Sequence, residues 1–399
     1  MAFMSDQGSG GAGFPFGFGM DPESLRDAPL FREMQRVMSA SSGPVNWELA
    51  RQVAIAGAAE AGEDRDATDD ERRSFEEASR VAELHVARFT GLDAPSDVAQ
   101  VRAVRRAEWI GANTENLAEL LEPAARRIGE SMDLAQREAL PPEMQAMGGM
   151  LSQLSPLLMG AQVGQVLGFL AQHVLGQFDV AVPRSGPGVV MFVVANVRRF
   201  ESDWSLEPTD FRTFVAIHEV THRFELAQPW ARERFTALLD DYLSTMRIDL
   251  EGMQARLSSL DASDPEALQQ AFESDGGLFG AELDDEQRLK LARIQAFMSA
   301  AEGYGDHVMH ALGAELLPSY GRIEEAMRRY REGEADDPVF ERLLGVEMKR
   351  EQYETGRAFC DTVVELTDEA TLARMWESAE AMPSLPEVAE PRLWLARTV

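Results

Sequence analysis

The chain has 399 residues, of which 45% are hydrophobic, and its formal net charge is −30. This length and composition predict a soluble protein with a sizeable core. The acidic balance argues against nucleic acid or an anionic membrane surface as a partner, because neutralising phosphate needs clustered Lys and Arg. The single cysteine, Cys360, excludes an internal disulfide and a multi-cysteine zinc site, which is typical of a reducing compartment.

The N-terminal stretch 1–20 is rich in Gly and Phe and lacks both the basic segment and the unbroken apolar core of a signal peptide. We interpret it as a disordered arm, and without an export signal we expect a cytoplasmic protein. A helical region is predicted over 21–143. Within it, the acidic run 60–71 indicates a solvated connection between helices, and the helical spacing of apolar residues over 101–127 predicts a core helix.

Residues 144–178 contain no charged side chain, which raises the alternative of a membrane span. Several glutamines and Pro156 interrupt this stretch and make it poorly suited to lipid, so no membrane partner is expected. Gly160, Gly164 and Gly168 repeat every fourth residue, which predicts a surface that another helix can approach closely. The stretch therefore predicts a tightly packed central helix.

A short β-branched run from Gly188 to Asn196 predicts a strand directly ahead of the next helix. Two interpretations of this strand remain open. It can be an edge strand, whose unpaired N–H and C=O groups pair with an extended peptide, or it can be an ordinary core strand.

A His-Glu-x-x-His sequence runs from His218 to His222, with Pro208 suited to the first turn of its helix and Pro229 placed to end it. Residues four apart share a helical face, so both imidazoles can bind one metal ion. Glu219 can reach a water on that metal and is the predicted catalytic base. The alternative, two surface histidines, is disfavoured by the apolar residues around the motif.

A second helix carries the predicted third ligand, Glu302, and Asp306 four residues later. One carboxylate can bind zinc while the other accepts the outer N–H of a ligating histidine, the role we predict for Asp306. Gly303 and Gly305 each cost about 1 kcal/mol in a helix interior, so they predict close approach of another backbone, or else a helix end. Other candidate third ligands are Glu225, His307 and His310, although Glu225 shares one straight helix with both histidines.

The remaining predicted elements are a helix over 343–366 and a short one over 370–377. Side chains that can stabilise an oxyanion are Tyr304, His307, His310 and Tyr353.

The two motifs, His218-Glu219-x-x-His222 and Glu302-x-x-x-Asp306, resemble the gluzincin arrangement of thermolysin-like peptidases, although about eighty residues separate them here, more than in the usual pattern. The wider sequence resembles bacterial zincin-like metallopeptidases of type 2. This resemblance implies an α+β, mostly α-helical fold, in which a zincin-like core has one small β-sheet beside the HExxH helix.

We place this core at 144–310, with a helical insertion at 230–300 and a C-terminal helical region at 311–399. The predicted function is zinc-dependent hydrolysis of a peptide or amide bond, with Zn²⁺ as cofactor and a peptide or protein as substrate. The alternative is a metal-stabilised scaffold that retains the site with little or no activity. The sequence leaves the oligomeric state open.

Overall fold

A computed structural model describes residues 43–97, 99–139, 145–178, 188–245, 284–334 and 350–398. The predicted arm 1–20 lies outside these ranges, as does the middle of the predicted insertion 230–300. The helices are α1 (Trp47–Ala59), α2 (Asp69–Thr90), α3 (Arg106–Ala139), α4 (Gln145–His173), α5 (Val194–Asp203), α6 (Pro208–Leu226), α7 (Pro229–Leu243), α8 (Asp285–Leu316), α9 (Tyr320–Glu334), α10 (Arg350–Leu366), α11 (Glu369–Ala373), α12 (Leu385–Ala389) and α13 (Pro391–Thr398). Strands β1 (Gln100–Val104) and β2 (Val189–Val193) form a parallel pair. The predicted mostly helical α+β fold with one small sheet is confirmed.

Helices α1 and α4 pack along a seam of small residues. A Cβ added at Gly164 would stand 2.5 Å from the carbonyl oxygen of Ala50, and one added at Gly168 would stand 3.0 Å from that of Ala54. These distances leave no room for a side chain at either position, so the predicted close approach of another helix to this face of α4 is confirmed. Within the described part of the chain, no helix combines the length and apolar character needed to cross a bilayer.

The structure differs from the sequence predictions at both strands. The predicted helix over 101–127 is wrong at its start, because residues 100–104 form β1 and the helix begins at Arg106. The predicted strand ends early, since α5 begins at Val194. The reason is the pairing of β1 with β2, a contact between distant parts of the chain that periodicity within one segment does not reveal.

Strand β2 lies between two hydrophobic clusters. Met191 and Val193 pack with α1, α3 and α4, whereas Val190 and Phe192 pack with α2, α6 and α8. On the side away from β1, Phe192 forms an antiparallel bridge with Gly176, and the Val193 N–H donates to the Leu175 carbonyl oxygen at 2.8 Å. Both sides of β2 are therefore occupied at Phe192 and Val193, as the core-strand interpretation expects. Pairing of an extended peptide along the rest of the strand stays a prediction.

A buried polar pair fixes the C-terminal end of α4. Arg106 Nε donates to Asn196 Oδ1 at 2.7 Å, and Asn196 Nδ2 donates to the carbonyl oxygens of Ala171 and Val174 at 2.9 and 2.6 Å. Both side chains are buried, so these hydrogen bonds compensate for groups that would otherwise be costly to remove from water. The chain that leaves α4 is consequently held against α3 and α5.

The helix of the HExxH motif, α6, begins and ends as predicted. Pro208 occupies its first turn, the Glu207 side chain accepts the Asp210 N–H at 2.8 Å as an N-cap, and Pro229 starts the next helix. Buried Phe and Val side chains along the helix pack it against α2 and α8. The motif is thus presented on an interior helix rather than at the surface.

Helix α8 lies between α6 and α10. A Cβ added at Gly303 would stand 2.2 Å from the carbonyl carbon of Gly356 on α10. The predicted close backbone approach is confirmed, and the alternative of a helix end is wrong, because α8 continues to Leu316.

The remaining boundaries agree in part with the sequence predictions. The acidic run is a connection between helices, as predicted, and its Thr68 begins α2 in a capping box with Glu71. Helix α10 is described from Arg350, so residues 343–349 of the predicted helix lie outside the described ranges. The predicted helix over 370–377 is α11 followed by a single 3₁₀ turn. Helices α12 and α13 were not predicted.

Candidate metal centre

Helix α6 places the two histidines of the motif side by side. The ring centroids of His218 and His222 are 4.5 Å apart and the rings are perpendicular. His222 is fully buried, whereas His218 is half-buried. The i, i+4 spacing therefore gives the predicted pair of imidazoles.

Helix α8 brings the predicted third ligand to this pair. Glu302 Oε2 lies 3.7 Å from His222 Nε2. Gly305 permits the approach, since a Cβ there would stand 3.0 Å from His222 Cε1. Burial raises the pKa of Glu302 to about 7, while the charges of His222 and His218 act in the opposite direction. The charges of both histidines thus act on Glu302, so the three predicted ligands lie close enough to interact electrostatically.

The donor atoms suit a zinc ion. Two imidazole nitrogens and one carboxylate oxygen form a common three-ligand set that leaves a coordination position open. Ligand atoms on a tetrahedral zinc are about 3.4 Å apart, and the 3.7 Å between His222 Nε2 and Glu302 Oε2 is close to that spacing. Among the residues described, no group of three or more His, Cys, Asp or Glu side chains forms a ready-made metal site. The fit therefore rests on donor chemistry and on this one distance.

Glu225 supports His222 from behind. His222 Nδ1 lies 2.7 Å from Glu225 Oε2, and both side chains are fully buried. When Nε2 binds a metal, Nδ1 carries the proton and donates it to this oxygen. Burial raises the pKa of Glu225 well above its ordinary value, and the charge of His218 opposes this shift. Glu225 was weighed in the sequence only as a ligand, although its i, i+3 spacing from His222 allows this contact. At His222 it occupies the orienting position that the sequence assigned to Asp306.

Asp306 lies near enough to Glu302 for its charge to raise the Glu302 pKa. Its orienting role toward a ligating imidazole stays a prediction.

Glu219 is fully buried next to the histidines, and backbone amides hold its carboxylate. Oε2 accepts the N–H groups of Gln177 and Phe178 at 2.7 and 2.9 Å. These donors belong to the chain that leaves α4, 42 and 41 residues before Glu219. The sequence analysis missed this contact, because backbone donors leave no signature in the residue types.

In the structure, His307 and His310 contact side chains outside the predicted metal site. His307 Nδ1 and Nε2 lie 2.7 and 3.1 Å from carboxylate oxygens of Asp361 and Glu369. Burial lowers the His307 pKa, but the hydrogen bonds to these carboxylates outweigh that effect and the pKa is raised. His310 Nδ1 lies 3.0 Å from Tyr320 Oη. Any role of these histidines at a substrate oxyanion stays a prediction.

Tyr304 is buried in the core, with its ring 5.8 Å from that of Trp376 in an edge-on arrangement. Burial raises the pKa of its phenol well above the ordinary value, so the hydroxyl keeps its proton. Tyr353 belongs to α10, in a part whose side chains lie outside the described ones. The oxyanion roles predicted for these two tyrosines are therefore not tested.

Two histidines from one helix, a glutamate from a second helix and a buried glutamate beside them define the zincin class of protein. The chain belongs to the zincin-like metallopeptidase family, whose sequence model matches residues 45–395. This membership confirms the predicted resemblance and implies zinc binding and hydrolysis in general.

A solved structure is similar over most of the chain. It is a crystal structure described as that of "a putative hydrolase with a novel fold" from Chloroflexus aurantiacus, with 31% sequence identity and a TM-score of 0.63. The similarity covers 88% of this chain and 98% of the other. No curated protein matches the chain.

Proposed function

We propose that this protein is a zinc-dependent metallopeptidase that cleaves a peptide or amide bond in a peptide or protein. The observation that supports this best is Glu219, a buried carboxylate next to the two histidines and held in place by two backbone amides. A structural zinc site usually has four protein ligands and has no need of such a group. A carboxylate in this position is suited to proton transfer.

In this proposal His218, His222 and Glu302 hold the zinc, and Glu225 keeps His222 oriented through its outer nitrogen. When bound, zinc supplies Lewis-acid activation of a water and of the substrate carbonyl. Glu219 accepts the proton of the attacking water and returns it to the leaving amine. His218 as a whole is half-buried, but both of its ring nitrogens are buried, and His222 is fully buried. We propose the cytoplasm as the site of action.

The test combines metal analysis with digestion of a peptide library, run on the wild type and on Glu219→Gln. We expect about one zinc per chain in both proteins, because Glu219 is not a ligand and the glutamine oxygen can still accept the two backbone N–H groups. The variant should lose nearly all cleavage, because an amide does not accept the proton of the water. Glu233→Gln, at an exposed position on α7, is the matched control and should behave as the wild type.

A zinc-loaded wild type that cleaves no peptide would contradict the proposal. The metal-stabilised scaffold would then be the better description of the protein.

A further inference from the structure

We propose that the backbone of residues 176–178, the 176–178 segment, positions Glu219 for proton transfer and is itself positioned by α3. This inference rests on the proposed function of Glu219 as the base. Two consecutive amides of the segment, those of Gln177 and Phe178, donate to one carboxylate oxygen, Oε2 of Glu219, at 2.7 and 2.9 Å. Two donors on one oxygen fix both the direction and the plane of the carboxylate.

Gly176 makes this approach possible. A Cβ at this position would stand 2.2 Å from Glu219 Oε1 and 2.3 Å from its Cδ. The φ of Gly176 does not lie in the left-handed region, so the backbone conformation itself would accept alanine. The position therefore requires glycine because Glu219 occupies the space of a side chain.

The segment is held from the side opposite Glu219. Trp109 Nε1 donates to the Gly176 carbonyl oxygen at 3.0 Å, and Gln177 Nε2 donates to Asn113 Oδ1 at 3.0 Å. Trp109 and Asn113 lie one turn apart on α3. On the remaining side, Gly176 forms its bridge with Phe192 of β2. The segment is thus held by α3 and β2 independently of its contacts with Glu219.

These contacts have a chemical consequence for a base that is fully buried. A carboxylate without donors is costly to remove from water, and charge-assisted hydrogen bonds from backbone N–H groups offset that cost. A misplacement of a catalytic group by 1 Å costs about 10²-fold in rate, so a rigid support affects turnover directly. A hydrogen bond from Trp109 can therefore influence catalysis without touching the substrate or the metal.

The first experiment measures the contacts without relying on activity. Amide-resolved hydrogen exchange is compared in the wild type, Glu219→Gln and Glu219→Ala. We expect the amides of Gln177 and Phe178 to exchange faster in Glu219→Ala, and less so in Glu219→Gln, which keeps an acceptor. The amide of Val193, which donates to Leu175, is the internal control and should not change. Equal exchange of the Gln177 and Phe178 amides in all three proteins would overturn the proposal.

The second experiment uses two Trp→Phe variants that each remove one indole N–H, assayed on a library peptide that the wild type cleaves. Trp109→Phe should lower kcat about 10-fold with KM and zinc content unchanged, because the substrate and metal contacts remain. Trp47→Phe is the matched control. Its Nε1 donates to Glu122 at 2.8 Å, also on α3 but more than three turns beyond Trp109, and its kcat should equal that of the wild type. Equal kcat values for both variants would overturn the role of α3.

The third experiment is a double-mutant cycle that a general loss of stability would not reproduce. Gly176→Ala should lower kcat about 100-fold, because the new Cβ displaces the Glu219 carboxylate. Glu219→Asp removes one methylene and gives that Cβ room, so aspartate should cost less in the Gly176→Ala background than in the wild type. Strictly additive losses would overturn the proposal.

The outcomes distinguish this inference from the proposed function. Absence of hydrolysis by the zinc-loaded wild type would overturn both the function and the catalytic purpose of the segment. Hydrolysis together with unchanged exchange in Glu219→Ala would overturn the inference alone.

Discussion

The hydrogen bond between His222 and Glu225 provides a quantitative test of the ligand assignment. The two side chains are fully buried and in direct contact at 2.7 Å. Glu225→Ala removes this partner from the buried Nδ1 of His222. Glu225→Gln has nearly the same shape and retains an oxygen that can accept the same N–H.

The expected magnitude follows from this contact. The contact holds the ring of His222 in the orientation that a ligand needs, and about 1.4 kcal/mol corresponds to a tenfold change in affinity. Glu225→Ala should therefore weaken zinc binding by about 10–100-fold, the range typical for a residue that orients a ligating histidine. Glu225→Gln should lose less than about tenfold because it keeps an acceptor. Glu302→Ala removes a ligand and should abolish tight binding.

Zinc affinity is measured by competition with a chromophoric chelator, and the melting temperature of each metal-free variant separates loss of binding from loss of folding. Asp306→Ala belongs in the same series, with an expected loss of about 10–100-fold if this residue orients an imidazole. Affinity in Glu225→Ala equal to that of the wild type would refute the reasoning about His222. Tight binding by Glu302→Ala, together with no binding by Glu225→Ala, would show that Glu225 is the third ligand.

Two further predictions concern stability. Gly164→Ala should lower the free energy of unfolding by about 1–3 kcal/mol in denaturant titration, because its Cβ would meet a backbone oxygen at 2.5 Å. Gly111 is a helical position with open space around it, so Gly111→Ala should raise the free energy of unfolding by about 0.5–1 kcal/mol. The raised pKa of His307 means that its ion pairs with Asp361 and Glu369 stabilise the fold below its unfolded pKa of about 6.5 and stop doing so as pH rises through the folded value. His307→Gln should therefore lower the free energy of unfolding, measured by denaturant titration, more at about pH 5.5 than at about pH 9. The difference should be about 1 kcal/mol or less because both carboxylates are partly exposed, and an equal loss at both pH values would contradict this.

Much of the helical framework could be predicted because its signals are local. Pro208 and Pro229 mark the start of α6 and of α7, and the four-residue repeat of glycines in α4 marks the face that meets α1. The HExxH motif depends only on spacing within one helix, so the arrangement of its two imidazoles followed directly. Gly303 likewise indicated a close backbone contact before its partner was known.

The parts that could not be predicted depend on contacts between distant segments. The apolar spacing predicts a helix where β1 lies. The pairing that makes this segment a strand joins residues 89 positions apart, as between Gln100 and Val189, and leaves no local signal. The hydrogen bonds to Glu219 come from backbone amides, which every residue type except proline provides. Glu225 could be recognised as a candidate but not assigned, because its position allows contact with either the metal or His222.

Gly303 and Gly305 link the metal site to the packing of α10 against α8. Gly303 faces α10 and Gly305 faces His222, and residues two apart on a helix point to nearly opposite sides. Because both positions are glycine, only the backbone of α8 separates α10 from His222 here. The distance between α10 and α6 is therefore set by main-chain atoms. A larger residue at Gly356, where a Cβ would stand 2.1 Å from the Ser299 carbonyl oxygen, forces α8 and α10 apart next to the helix face that carries Gly305. Substitutions on α10 should consequently be judged by their effect on metal affinity, and a survey restricted to the residues around the ion would overlook them.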